Sequence, residues 1–189
     1  MNKVHFKNNL IFCFVIFIQI TFGQTKKNEP TYKYLKDGDI IFIAKNTEQK
    51  KELNFAGIVI IENKIPFVFF ADSSIIKCTV NDFISKSYKK IHAVKRILEI
   101  ELLTTDGIAN MKSNTNSRLN IKVENITYLN AINIYNAEFI WKIFQSSIGL
   151  AICDKKIVKI ELPNQKTENK KIVAINDLFE SEQLEYVSE

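Results

Sequence analysis

Tyr135-Asn136-Ala137-Glu138-Phe139-Ile140-Trp141-Lys142 opens the stretch with the strongest helical period in this 189-residue chain. Ala137, Ile140, Ile143, Phe144 and Ser147 recur at three- and four-residue spacing, and Gly149 stands where the helix would end. Asn136 is a favoured capping residue, so the pattern predicts a helix that begins there, with Glu138 in its first turn to complement the dipole. Upstream, the pattern is that of strands. Asp37-Gly38-Asp39 reads as a turn into the apolar run Ile40 to Ala44. Phe55 to Ile61 follows with Gly57 inside it, a sign of close backbone approach or a bulge. Asn63 and Pro66 mark the turn into Phe67 to Phe70, and Ile75 to Cys78 makes another short strand. Most strands therefore precede one strong helix, which argues an α+β fold over repeated βαβ units.

The remaining segments are weaker signals. Thr79 is a candidate N-cap for a short helix over Asn81 to Ser87. Lys90 to Ile97 alternates as a half-buried strand with Lys95 and His92 on its polar side. Lys45 to Leu53 reads as a charged loop, and Asp106 to Asn125, rich in Asn, Ser and Lys, as the least ordered stretch. Lys156 to Leu162 alternates as a strand, and Asn176 is placed to cap a last short helix over Asp177 to Gln183.

The N-terminus bears on location. Lys3, His5 and Lys7 precede an apolar run from Leu10 to Phe22 and the small residue Gly23, the order of a cleavable secretory signal. The run is shorter than the roughly 20 residues a membrane-spanning helix requires. Residues 1–23 are thus expected to be a leader, 24–34 a flexible lead and 35–189 a single exported domain, periplasmic or secreted, with no transmembrane segment after cleavage. The formal net charge is +5, but Lys and Glu are interspersed, which fits solvated faces, and export excludes a nucleic-acid partner. Beyond the leader, one histidine (His92) and two scattered cysteines (Cys78, Cys153) offer no metal-ligand spacing, and no Gly-rich phosphate loop occurs, so neither metal nor cofactor is expected.

Three segments taken in order carry more than any one alone: Leu35-Lys36-Asp37-Gly38-Asp39-Ile40-Ile41-Phe42, Asn54-Phe55-Ala56-Gly57-Ile58-Val59-Ile60 and Tyr135 to Lys142. Together the chain resembles the YiiX/YaeF group of permuted papain-like amidases, circularly permuted relatives of the NlpC-type cell-wall hydrolases. The resemblance spans about residues 35 to 184. It implies a papain-like core in permuted order, with an antiparallel sheet or barrel packed against one long helix. It also implies a cysteine nucleophile at that helix's start, an imidazole on the strand with the Gly-Ile-Val pattern, and an orienting polar residue on the next strand. Those positions hold Asn136, Phe55 and Phe70. A carboxamide offers no nucleophilic anion and a phenyl ring moves no proton. The family's catalytic positions are therefore expected to be chemically empty, with Tyr135, Glu138 and Asp39 as candidate cleft residues.

From this the expected function is that of a catalytically inactive family member, acting in the cell envelope as a binding or regulatory module. By the same resemblance its ligand would be a peptide, peptidoglycan fragment or acyl group. Two alternatives stay open: a live cysteine amidase or esterase with relocated groups, Cys78 or Cys153 with His92, and an exported structural or adhesion domain.

Overall fold

The computed structural model describes residues 32–46, 51–86, 91–122, 131–161 and 167–187; the expected leader and residues 24–31 of the lead lie outside them. A turn opens the sheet: Asp39 N–H donates to Lys36 O, and Gly38 at φ +86° occupies the left-handed position that a Cβ would strain. Strand β1 (Ile40–Asn46) follows, then β2 (Lys51–Glu62) and β3 (Ile65–Ala71). Asn63 and Lys64, at φ 50° and 67°, form the two-residue loop between β2 and β3. Positive φ at both positions matches the right-handed twist of the flanking strands.

Strand β4 (Ile75–Thr79) runs into helix α1 (Val80–Lys86), where Thr79 Oγ1 accepts from Asp82 N–H at 3.2 Å, the expected cap. After β5 (Ile91–Ile97) come α2 (Thr105–Asn116), the long α3 (Ala131–Ile148), the hairpin β6 (Lys156–Glu161) and β7 (Thr167–Ile172), α4 (Ile175–Phe179) and β8 (Leu184–Tyr186). The main sheet is antiparallel, in the order β4-β3-β2-β1-β5-β8, while β6 and β7 pair only with each other. Of the sheet and barrel arrangements that the sequence left open, the described strands form an open sheet.

Pleating sends alternate side chains to opposite faces, and each face buries its own cluster. Ile40, Phe42, Ala56, Ile58, Ile60, Phe69 and Ala71 meet Ala137, Ile140, Ile143 and Phe144 of α3. On the far face Ile41, Ile43, Val59, Val68 and Phe70 meet Val80 and Phe83 of α1. At about 25 cal/mol per Å² of apolar area removed from water, these two layers are the main source of stability. Gly57 marks the tightest approach: a Cβ there would stand 2.3 Å from Val68 Cγ1.

Several expectations change. Helix α3 begins at Ala131, so Asn136 lies inside it and does not cap it. The stretch taken as least ordered contains α2, whose Thr104 Oγ1 accepts from Gly107 N–H at 3.0 Å. Met111 and Thr115 of α2 are buried, and Asn114 donates to Ser147 Oγ of α3 at 2.9 Å. The part of that stretch beyond Lys122 is outside the described residues. The charged loop shrinks, because β1 runs to Asn46 and β2 starts at Lys51. Helix α4 is capped from Ala174, whose N–H donates to Asp177 Oδ2, while Asn176 is exposed within the helix. Lys95, expected on a solvated side, is buried: its Nζ donates to Phe179 O at 2.5 Å and lies over the Phe179 and Tyr186 rings.

Candidate functional site

The last paired residues between β2 and β3 are Ile58 and Phe69, so the N–H of Ala71 lies beyond the ladder on that side. Asn136 supplies its acceptor. The carboxamide Oδ1 takes the Ala71 N–H at 2.6 Å, and Asn136 is 0% exposed. One residue earlier, the Phe70 ring packs edge to face on Phe55, with centroids 6.0 Å apart, and on Phe83 at 4.9 Å. Phe55 and Phe70 thus touch each other, while Asn136 reaches only the backbone of the residue after Phe70. Asn136 approaches from α3, while Phe55 and Phe70 join the cluster on the far face. Phe70 is 3% exposed, in keeping with a packing role. Asn136 Nδ2 is buried with no hydrogen-bond partner among the described residues.

Next to Ala71 and Tyr135 the surface opens into a cleft of about 500 Å³, within the roughly 300–1,000 Å³ typical of ligand sites, and Asn136 itself does not line it. Two of the three expected cleft residues, Tyr135 and Glu138, line it together with Ala71 and Phe139. Glu138 is 8% exposed, and its Oε2 lies 3.8 Å from Lys142 Nζ one turn along α3. The third, Asp39, is not among the lining residues. It is buried at the head of β1, where Arg96 Nε and Nη2 donate to its two oxygens at 2.6 and 2.7 Å and Lys36 N–H donates at 2.8 Å. Burial pushes the Asp39 carboxyl up against the pull of Arg96, and that carboxylate in turn raises the guanidinium. This is a structural ion pair between β1 and β5.

The opposite rim of the cleft was missed in the sequence. After α2, the chain turns back along β4: Ile75 N–H donates to Ile121 O at 3.1 Å, Asn120 N–H donates to Ile75 O at 3.0 Å, and Ser74 bridges Lys122. This places Arg118, Ile121 and Lys122 on the cleft. The available signal was the Thr104 cap followed by Ile108, Met111 and Thr115 at helical spacing, which would have given the helix that positions this rim.

The relocated-nucleophile constellation does not form an activated pair. Burial, reinforced by Asp177 and Asp154, pushes the Cys153 thiol up to about 11, so it stays protonated near neutrality. Cys153 packs against the α3-side cluster and Cys78 against the far one. His92 is the extra residue where β5 bulges against β1, since Ala93 pairs Phe42 and Ile91 pairs Ile43. Its ring stacks on Phe179, with centroids 5.4 Å apart. Trp141 donates from Nε1 to Cys153 O at 2.9 Å and carries Lys155 Nζ 4.1 Å from its ring centroid, a packing role.

Among the described residues no helix is long and apolar enough to cross a membrane. Residues 34–188 match the family model of permuted papain-like amidase enzymes, YaeF/YiiX, C92 family. No curated protein matches the chain. The fold is similar to the crystal structure of a protein described as the metalloprotein yiiX from Escherichia coli O157:H7, with a TM-score of 0.61 and 18% identity over 82% of this chain and 97% of that one. Here, among the described residues, no three His, Cys, Asp or Glu side chains gather as metal ligands, so no step is assigned to a metal. On the match across residues 34–188, this chain belongs to the family of permuted papain-like amidases of the YaeF/YiiX type.

Proposed function

We propose that this protein is a non-catalytic member of its family, exported to the cell envelope, where it binds a ligand in the cleft beside the N-terminal half of α3. One observation carries the reading: the position of the nucleophile holds Asn136, and that carboxamide is already committed to the Ala71 backbone at 2.6 Å. A residue engaged in this way completes the end of β3 beyond its pairing with β2 instead of attacking a carbonyl. The ring contact between Phe55 and Phe70 supports the same reading, since it fills with apolar packing the two positions where a base and its orienting partner would be needed. The ligand class by kinship is a peptide, a peptidoglycan fragment or an acyl group. A cleft of about 500 Å³ favours a binding module over a purely structural or adhesive domain. The protonated Cys153 gives no support to a relocated cysteine hydrolase.

The decisive assay is hydrolysis of amide and ester substrates by the purified protein, alongside Asn136→Ala. No turnover by either protein is expected. Turnover that disappears in Asn136→Ala would overturn the non-catalytic reading. Export is tested separately, by expressing the chain in a bacterial host, fractionating the cells and measuring the N-terminus by mass spectrometry. A mature terminus near Gln24 outside the cytoplasm is expected, and an intact Met1 inside it would remove the envelope role.

A further inference from the structure

The charge lining the cleft is one-sided. Arg118, Lys122, Lys142, Lys155, Lys170 and Lys171 face it from the α2–β4 rim, α3, the segment after α3, and β7. Glu138 is the sole carboxylate among the lining residues, and Lys142 already approaches it at 3.8 Å. Lys155 is partly occupied over the Trp141 ring. The excess of cations remains on Arg118, Lys122, Lys170 and Lys171. Like charges gathered around one concavity repel each other, and a bound anion relieves that repulsion.

A second observation points the same way. Arg118 Nε is buried and has no acceptor among the described residues, although a guanidinium N–H removed from water requires one. A ligand oxygen in the cleft would satisfy it. Guanidinium geometry favours a planar or tetrahedral oxyanion that accepts two N–H groups at once. The other orphaned donor, Asn136 Nδ2, belongs to the side chain that holds Ala71, and Ala71 lines the cleft. The remaining wall is apolar: Ile75 and Phe139 are buried beneath it, while Ile121 is 53% exposed at its rim.

From these features we infer that the cleft is an anion site for an amphiphile, a carboxylate or phosphate head held by Arg118 with an apolar group against Ile75, Ile121 and Phe139. This inference rests on the binding-module reading and adds the chemical class of the ligand. The head binds as an ion and no bond is made or broken. The rim lysines draw it in, so binding weakens as salt rises.

Calorimetric titration of the full chain with monomeric decanoate, decyl phosphate, decyltrimethylammonium and inorganic phosphate tests it. Decanoate or decyl phosphate, or both, should bind, and the stronger of the two names the head group. The cationic amphiphile, with the same tail, and the tail-less phosphate should each bind about tenfold or more weakly. Arg118→Gln should weaken the anionic amphiphile by about tenfold or more. Because Arg118 is partly buried, the double variant Lys170→Gln/Lys171→Gln on the hairpin rim provides a second measure, with a loss of severalfold and a flatter salt dependence. Equal binding of cationic and anionic amphiphiles, or affinity unchanged in both variants, overturns the anion site. So does the absence of any binding. Following product formation in the same samples separates the two ideas. Hydrolysis of a decanoyl amide or ester overturns the non-catalytic reading and leaves the anion site standing, while lack of anion selectivity removes the site and leaves the inactivity untouched.

Discussion

The two faces of the central sheet satisfy their buried groups in different ways. On the α3 side the buried group is polar: Asn136 accepts from the backbone of β3 at Ala71, beside a cationic cleft. On the far side the buried groups are apolar: the Phe55 and Phe70 rings pack into a cluster closed by Phe83. A buried position is held either by hydrogen bonding or by packing, whichever its surroundings can satisfy. At the unpaired end of a strand an amide is useful. Between two strands and a helix, a ring is.

The far face should be the more sensitive to truncation. Phe70→Ala is expected to lower unfolding free energy by about 3–5 kcal/mol in urea titrations, because the ring is 3% exposed and touches two others. A loss below about 1 kcal/mol would mean that the cluster collapses freely, and the packing half of the comparison would fail. Asn136→Ala, on the near face, should cost less, about 1–3 kcal/mol, since it leaves the Ala71 N–H without its acceptor. Asn136→Cys should cost a similar amount and gain no hydrolytic activity, because neither Phe55 nor Phe70 can take its proton; a gain of turnover from this single change would show that a base lies within reach.

The cysteines sharpen the contrast. Alkylation of Cys153 by iodoacetamide should rise with a midpoint at about 11, the value to which burial and the nearby aspartates push the thiol. A midpoint below the ordinary value of about 8.5 would put a reactive thiolate on the α3 side and revive a cysteine hydrolase. The smallest effect concerns Glu62, whose carboxyl is held below the usual range chiefly by Lys77, 2.5 Å away. Its folded form sheds its proton more readily than its unfolded form. The contribution is therefore present above the ordinary carboxylate pKa and lost as pH falls through the folded value. Glu62→Gln should remove that part of the acid dependence, a difference below about 1 kcal/mol at this half-exposed pair; an unchanged acid profile would show that the pair is mere surface contact.

Local signals were read with success where the responsible interactions are local. The Asp37-Gly38-Asp39 turn, the Asn63 hairpin, the Thr79 cap and the Ala137 to Ser147 stripe each depend on neighbours within a few residues. Helix α2 went unread because its apolar side is narrow, with Gly107, Met111 and Thr115 buried among polar residues. The partial capping signal of Asn136 misled for a different reason: the same amide that suits a helix start also suits any orphaned backbone N–H, and its actual acceptor role lies 65 residues away at Ala71. Lys95 was assigned to solvent by alternation, yet its partners, Phe179 and Tyr186, come from elements at the far end of the chain.

By itself the sequence determined the family, the α+β order of strands before the long helix, and the residue types, an amide and two phenyl rings, at Asn136, Phe55 and Phe70. These follow from residue type and order, which are written in the chain. Only the tertiary structure decided what those residues contact, that Asp39 pairs with Arg96 beneath the surface, and that Arg118 and the lysines of four separate segments converge on one cleft. Side chains distant in sequence are brought together by strand register and helix packing, and their charge and burial acquire meaning only when that geometry is set.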